Sequence, residues 1–270
     1  MLKEKLLSID FSAVERKISE FMSNYLCYSK ANCYVLGLSG GVDSSTIATL
    51  AAKSVGPEHV VALVMPDTTA TPEDDLRDAY WLADKLGINR ITVPIDGIVA
   101  AASSNLPFFD PKDLPALGNL KARIRMMMLY YVANRLNGLV LGSGDRSELL
   151  LGYFTKYGDG AADLLPIGDL YKTQVRMLAI HLGLPEKIAF KPSSPRLWPN
   201  QMAEGELGFT YEVADLVLYM VLDLGYTSSR VVEETGIEEN VVKSIISRVE
   251  STVHKRRTPP VVELKGIAHP

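Results

Sequence analysis

Apolar positions along this chain recur with two periods, and the places where the period changes outline alternating helices and strands. Phe11, Val14, Ile18, Phe21 and Tyr25 are spaced by three and four residues, which draws one apolar stripe along a helix that packs on the first strand. Residues 33–38 then form a short apolar run with the character of a buried strand, followed by a glycine-rich turn and a small-residue, helix-compatible stretch at 46–54. A β-branched run at 60–65 ends at Pro66-Asp67, 90–95 reads as a third strand, and 139–142 as a fourth. Thr71-Pro72-Glu73-Asp74 opens the intervening helix with a cap residue, a first-turn proline and acids near the positive end of the dipole. The alternation predicts an α/β, Rossmann-like, three-layer fold, with a mostly parallel sheet covered on both faces by helices.

Residues 105–117, rich in Pro, Phe and Asp, read as a long irregular connection. A helix then opens at Gly118 and is apolar on nearly all sides through Val132, which suits central core or a subunit interface. Arg123 and Arg125 interrupt it; they fit a solvated helix end and a guanidinium aimed at phosphate equally well. From about residue 206 the pattern is helical, with Val242, Ile245, Ile246, Val249 and Val253 in one stripe. Residues 227–245 look like a helix-turn-helix around Thr235-Gly236, but Glu238, Glu239 and a single Lys243 are poor material for approaching nucleic acid, so packing is the better reading. With no repeat or low-complexity linker, residues 1–270 are expected to form one domain whose part from about 206 to 270 is a helical C-terminal extension.

Composition narrows the partners. A net charge of −4 gives no basic field for nucleic acid, so any anionic ligand is expected at a local site. Cys27 and Cys33, the two cysteines, have no metal-binding spacing and read as reduced core thiols. The N-terminus lacks the h-region of a signal peptide and the apolar runs are too short to span a bilayer, so a cytoplasmic location without membrane contact is expected.

The candidate chemistry begins at Gly37-Leu38-Ser39-Gly40-Gly41-Val42-Asp43-Ser44, between the first strand and its helix. Glycines let the backbone approach a ligand, and the free N–H groups and dipole of a helix start attract phosphate oxygens. Neither a Walker Gly-Lys-Ser/Thr nor G-x-G-x-x-G is present. A second dense stretch, G-Y-F-T-K-Y-G-D-G-A-A-D at 152–163, offers carboxylates for Mg²⁺, an ammonium for phosphate and rings for a base or sugar.

S-G-G-x-D-S resembles the pyrophosphatase loop of the N-type ATP pyrophosphatases, which split ATP between its α and β phosphates. With G-N-L-K-A-R-I-R-M at 118–126, L-G-S-G-D-R-S-E at 141–148, Y-F-T-K-Y-G-D-G at 153–160 and H-K-R-R at 254–257, nearly the whole chain resembles the ammonia-dependent NAD synthetases. The resemblance implies amidation of deamido-NAD by ammonia, with ATP as co-substrate and Mg²⁺ as cofactor, through an NAD-adenylate. It places ATP phosphates on Gly37, Leu38, Ser39, Gly40, Gly41, Val42, Asp43 and Ser44, with Ser143, Lys172 and Ser193 as further ATP contacts. Asp43 and Glu148 would ligate the metal, and Lys172 would also serve catalysis. Arg123, Lys156, Asp163, His254 and Lys255 would contact deamido-NAD, and Asp159 would hold the incoming ammonium and take its proton.

The resemblance also implies a homodimer, with the helix through residues 126–132 as an interface, and leaves a separate glutaminase partner open. One segment departs from the family pattern: where Ala-Gly-Leu-Trp and Gln-Thr-Asp-Glu are usual, this chain has Ser194-Pro195-Arg196-Leu197-Trp198 and Gln201-Met202-Ala203-Glu204. That departure bears on loop closure and keeps two rivals in view. One is another amidating or tRNA-modifying ATP pyrophosphatase, the other a nucleotide-binding regulator without turnover.

Overall fold

Side chains of the first strand alternate between two apolar layers, Tyr34 and Leu36 entering one and Cys33 and Val35 the other. The computed structural model describes residues 2–264. Its helices and strands, in chain order, are α1 (Leu2–Leu7), α2 (Phe11–Ser29), β1 (Cys33–Gly37), α3 (Val42–Val55), β2 (Val60–Val64), α4 (Glu73–Leu86), β3 (Asn89–Thr92), α5 (Asp96–Asn105), α6 (Leu114–Leu136), β4 (Gly138–Leu141), α7 (Arg146–Leu151), α8 (Lys172–His181), α9 (Glu186–Ala189), α10 (Ala203–Leu207), α11 (Tyr211–Leu218), α12 (Ser228–Thr235) and α13 (Glu239–Ser251). The four strands are parallel in the order β3-β2-β1-β4. Helices α2, α3, α4 and α8 cover one face of the sheet, α5 and α6 the other. This is the expected three-layer α/β architecture.

A second apolar cluster joins Leu6 of α1, Leu151 and Tyr171 to Tyr211, Val217, Val231, Val242 and Ile245 of the C-terminal helices. The helix-turn-helix-like stretch therefore spends its apolar faces on packing, and Lys243 pairs with Glu239 on its own helix. Among the described residues no helix is long and apolar enough to cross a membrane. Of the two thiols expected in the core, Cys33 is buried, whereas Cys27, on α2, is exposed.

Several boundaries differ from the sequence pattern for local reasons. Helix α3 starts at Val42, four residues earlier than its apolar pattern suggests, because Thr46 and Thr49 return their hydroxyls to the carbonyls of Val42 and Ser45 and so fit a helix. The stretch 105–117 is shorter as a loop than expected. Helix α5 runs up to Asn105 with no fully buried residue, hence without a readable stripe. Asp113 caps α6 by accepting from the Ala116 amide at 3.0 Å, so Gly118 lies inside that helix rather than at its start. A Cβ at Gly118 would stand 3.0 Å from the Trp198 ring, which explains the glycine as a close approach between α6 and the 192–201 segment. Helix α6 is two-faced: Ile124 and Ala133 are buried toward the sheet, whereas Met127 and Tyr131 are exposed.

Candidate active site

Strand order reverses direction at β1, with β2 on one side and β4 on the other, and ligands of open α/β sheets bind at that switch point beyond the carboxyl ends of the strands. The turns leaving β1 and β4 both open there. In the first, Gly40 has φ +79°, and a Cβ on it would lie 2.1 Å from the Asp75 carbonyl oxygen, so only glycine lets the turn settle against α4. The Ser39 amide donates to Ser44 Oγ at 3.2 Å, and the Gly41 amide to Ser39 Oγ at 3.3 Å, which folds the loop onto the helix start. No side chain caps α3. Its first-turn N–H groups therefore face the crevice, ready for an anion.

The turn leaving β4 carries Asp145, which caps α7 by accepting from the Glu148 amide at 2.8 Å. Its other oxygen lies 2.9 Å from Lys172 Nζ, which also meets Glu148 Oε1 at 2.9 Å and Asp43 Oδ2 at 2.7 Å. Lys172 has no exposed surface. Three carboxylates thus surround one ammonium. Burial pushes Asp145 up to about 6 and Glu148 well above the usual carboxylate range, with Lys172 opposing both shifts. Burial pulls Lys172 down, but Asp145, Asp43 and Glu148 outweigh it and hold its pKa well above the ordinary value. The start of α8 is pinned from behind. The Lys172 amide donates to Ser147 Oγ at 2.9 Å, Ser147 donates to Asp215 Oδ1 at 2.5 Å, and the Thr173 amide donates to Asp215 Oδ2 at 2.8 Å.

These turns form the floor of a cavity of about 440 Å³. Gly37, Leu38, Ser39, Gly41, Val42, Asp43 and Ser44 line it, as do Ser143, Glu148, Asp159, Ser193 and Lys255. Asp159 accepts from the Thr155 amide at 2.9 Å, and desolvation raises its carboxyl pKa. Lys255 Nζ donates to the carbonyls of Gly152 and Phe154 at 2.7 and 2.9 Å, where burial first and Arg248 second lower its pKa.

The NAD synthase family model matches residues 14–259. The chain belongs to the NAD synthase family. A relative from Hyperthermus butylicus, an NH(3)-dependent NAD(+) synthetase, is 50% identical over 95% of this chain and 92% of its own. Among solved structures similar to the chain are an NMN synthetase from Francisella tularensis, with a TM-score of 0.81 at 32% identity over 94% of this chain and 99% of that one. An NH3-dependent NAD synthetase from Campylobacter jejuni, in complex with nitrate, has a TM-score of 0.79 at 31% identity over 94% and 100%.

Within this NAD synthase fold, not every residue singled out by the motifs reaches the cavity. Gly40 supports the loop from behind and Lys172 lies beneath the carboxylates. Arg123 is exposed on α6 and donates to the Lys156 carbonyl at 3.2 Å, outside the cavity. Asp163 accepts from the Val140 amide at 2.7 Å and from the Tyr130 hydroxyl at 3.3 Å, closing the edge of β4. His254 is exposed in the turn after α13. Conversely, the structure adds Asp145, Lys191 and Arg196 to the site or its wall, and of Arg123 and Arg125 on α6 it is Arg125 that lines the cavity. Asp145 had a readable signal, an aspartate three residues before Glu148 at a helix start. Lys191 and Arg196 had none, because their partners are on α4, more than one hundred positions away.

Among the described residues no group of three or more His, Cys, Asp or Glu side chains is arranged to hold a metal on its own. Asp43 Oδ1 is nonetheless buried without a hydrogen-bond partner at the cavity wall, and Glu148 stands beside it across Lys172. Mg²⁺ uses one or two carboxylates together with substrate phosphates rather than an all-protein cage, so this donor set suits it.

Proposed function

We propose that the chain is a cytoplasmic ligase that amidates deamido-NAD with ammonia, converting ATP to AMP and pyrophosphate. The observation that carries this reading is the uncapped start of α3, with Asp43 in its first turn and Glu148 beside it, lining one cavity in a chain whose family model spans 14–259. A carboxylate oxygen does not leave until it belongs to an acyl phosphate. The acceptor carboxylate therefore attacks the α-phosphorus of ATP and displaces pyrophosphate. Ammonia then attacks the carbonyl carbon of the NAD-adenylate, and AMP leaves with the bridging oxygen.

The amides of residues 39–44 bind and orient the phosphates, with Ser143 and Ser193 as further ATP contacts. Asp43 and Glu148 would hold Mg²⁺, which when bound supplies charge neutralisation at the phosphates. Lys172, buried beneath these carboxylates, would act on the phosphates through them by setting their charge and position. Asp159, with its raised pKa, takes the proton that ammonium must lose before it attacks. A cavity of this size suits one nucleotide, so the rest of the dinucleotide acceptor extends over Arg123, Lys156, Asp163, His254 and Lys255. We also assign a homodimer to the exposed side of α6, which presents Met127 and Tyr131 beside Arg123.

The similarity to an NMN synthetase makes the mononucleotide acceptor the rival worth testing. With ATP, Mg²⁺ and ammonium, deamido-NAD is expected to give NAD and AMP in equal amounts, with a kcat/KM well above that for nicotinate mononucleotide. Preference for the mononucleotide would replace the acceptor, and AMP release without an amidated product would reject the reaction.

A further inference from the structure

The 192–201 segment forms the roof of the cavity and carries an arginine, Arg196, into its lining. The segment is internally bonded: Ser194 donates to the Gln201 carbonyl at 2.5 Å, the Leu197 amide donates to Gln201 Oε1 at 2.9 Å, and the Ala203 amide donates to the Ser193 carbonyl at 3.0 Å. It is also fastened at its far end, where Lys121 Nζ donates to the Leu197 carbonyl at 2.9 Å and Trp198 rests on Gly118. Arg196 does not need to hold this roof in place.

Instead its Nε donates to Asp75 Oδ2 at 2.9 Å. Asp75 is 6% exposed and also accepts from Lys191 Nζ at 2.9 Å, while Asp78 accepts from Lys191 and Lys187, both at 2.6 Å. Three cations against two carboxylates leave one positive charge in excess. The same Asp75 touches the phosphate loop through its backbone, at the position where a Cβ on Gly40 would collide. The carboxylate that anchors Arg196 is therefore built against the loop that faces the anion. Among the described residues the terminal guanidinium nitrogens of Arg196 have no partner, and Arg196 lines the cavity together with Ser39, Gly41 and Ser193, whose Oγ is buried and also unpartnered.

We propose that Arg196 binds the β and γ phosphates of ATP, and hence the departing pyrophosphate, from the roof segment anchored beside the 39–44 loop. Asp75 fixes the guanidinium through Nε and leaves its planar fork free, the arrangement that favours arginine over lysine for phosphate oxygens. Charge that builds on the leaving pyrophosphate then meets a preorganised cation. This assignment rests on the proposed cleavage of ATP between its α and β phosphates, and not on which nucleotide accepts the adenylate.

Calorimetric titration of the full-length chain with pyrophosphate and, separately, with AMP, both with Mg²⁺, tests it in the wild type, Arg196→Gln and Arg196→Lys. Loss of one charged hydrogen-bonding group predicts pyrophosphate binding weaker by about 10- to 100-fold in Arg196→Gln, partial recovery in Arg196→Lys, and AMP affinity within about twofold of wild type. Unchanged pyrophosphate affinity, or an equal loss for AMP and pyrophosphate, would overturn the assignment and leave Arg196 a latch of the roof. Melting curves of the three proteins identify a variant that fails by unfolding, and Arg196→Lys then carries the comparison. Turnover of the wild type with deamido-NAD, measured on the same preparation, separates the two claims. Absent NAD formation with an Arg196-dependent pyrophosphate site sinks the acceptor alone, whereas NAD formation with pyrophosphate affinity indifferent to Arg196 sinks this inference alone.

Discussion

At the scale of single residues, the site is governed by three carboxylates sharing one buried ammonium. Removing Lys172 leaves Asp145, Asp43 and Glu148 facing one another in low dielectric, and breaking a buried pair from one side costs about 3–5 kcal/mol. Lys172→Met should therefore lower the urea-unfolding free energy by that amount, and a change below about 1 kcal/mol would mean that the cage does not stabilise the fold. Asp43 is different. It keeps 19% of its side chain exposed, and Asp145 and Glu148 still hold Lys172 when it is neutralised. Asp43→Asn is expected to lose at least about 100-fold in kcat while its melting temperature stays within a few degrees; an unchanged rate removes Asp43 from the metal site.

Asp215 makes a pH prediction from behind the site. Desolvation raises its pKa to about 7 despite hydrogen bonds from Ser147 and Thr173. The unfolded chain releases this proton near the ordinary carboxylate value of about 3.9, so the native state binds more protons between about pH 4 and 7. Stability should fall as pH rises through that window, by up to about 4 kcal/mol if the whole shift is expressed, and level off above it. Asp215→Asn should flatten the profile; the same slope in that variant would assign it to other groups. Legibility at this scale followed chain locality. Residues 37–44 and Glu148 could be read because each sits in a contiguous turn, whereas Asp145 was visible only as a cap and Arg196 only once α4 was folded against it.

At the scale of elements, the decisive unit is strand β1, its turn and helix α3. The strand and turn are legible because an apolar run, two glycines and a helix-compatible stretch follow one another with no tertiary information needed. The early start of α3 was hidden by its own hydroxyl residues, which satisfy the backbone as well as a loop would. Gly40→Ala tests the turn: it forces a Cβ into the Asp75 carbonyl and an L-residue into φ +79°. A stability loss of about 1–3 kcal/mol is expected, together with weakened ATP binding by calorimetry. Wild-type affinity in that variant would mean that the turn is free to relax away from α4. Helix α5 escaped notice because it buries no residue completely, and α6 was assigned a late start because Gly118 looks like a boundary until Trp198 is placed on it. The basic residues of the last turn of α13 and just after it illustrate a further limit. Arg248, Lys255 and Arg256 donate to the carbonyls of Leu150, Leu151, Gly152 and Phe154 at and after the end of α7, so part of the H-K-R-R signature caps a helix and fixes the loop that follows.

At the scale of the whole molecule, a four-stranded parallel sheet places the turns after β1 and β4 on opposite sides of one crevice, and the C-terminal cluster holds the 152–160 loop over it. Fold class was legible from alternation alone; the second cluster was not, since it joins α1 to helices more than two hundred residues away. The exposed face of α6 gives a molecular prediction. Light scattering at micromolar concentration should show a dimer, and Tyr131→Glu, placed at a residue 66% exposed in the single chain, should give a monomer. A wild-type monomer would contradict that assignment and leave Arg123 and Lys156 to bind the acceptor from one chain.

In the proposed reaction this crevice transfers AMP to a carboxylate and then exchanges that AMP for ammonia. Deamido-NAD labelled with ¹⁸O in its nicotinate carboxylate tests it directly, by mass spectrometry of the products after turnover with ATP, Mg²⁺ and ammonium. One ¹⁸O atom should appear in each AMP formed, with none in pyrophosphate. Unlabelled AMP, or label in inorganic phosphate released beside ADP, would contradict the account.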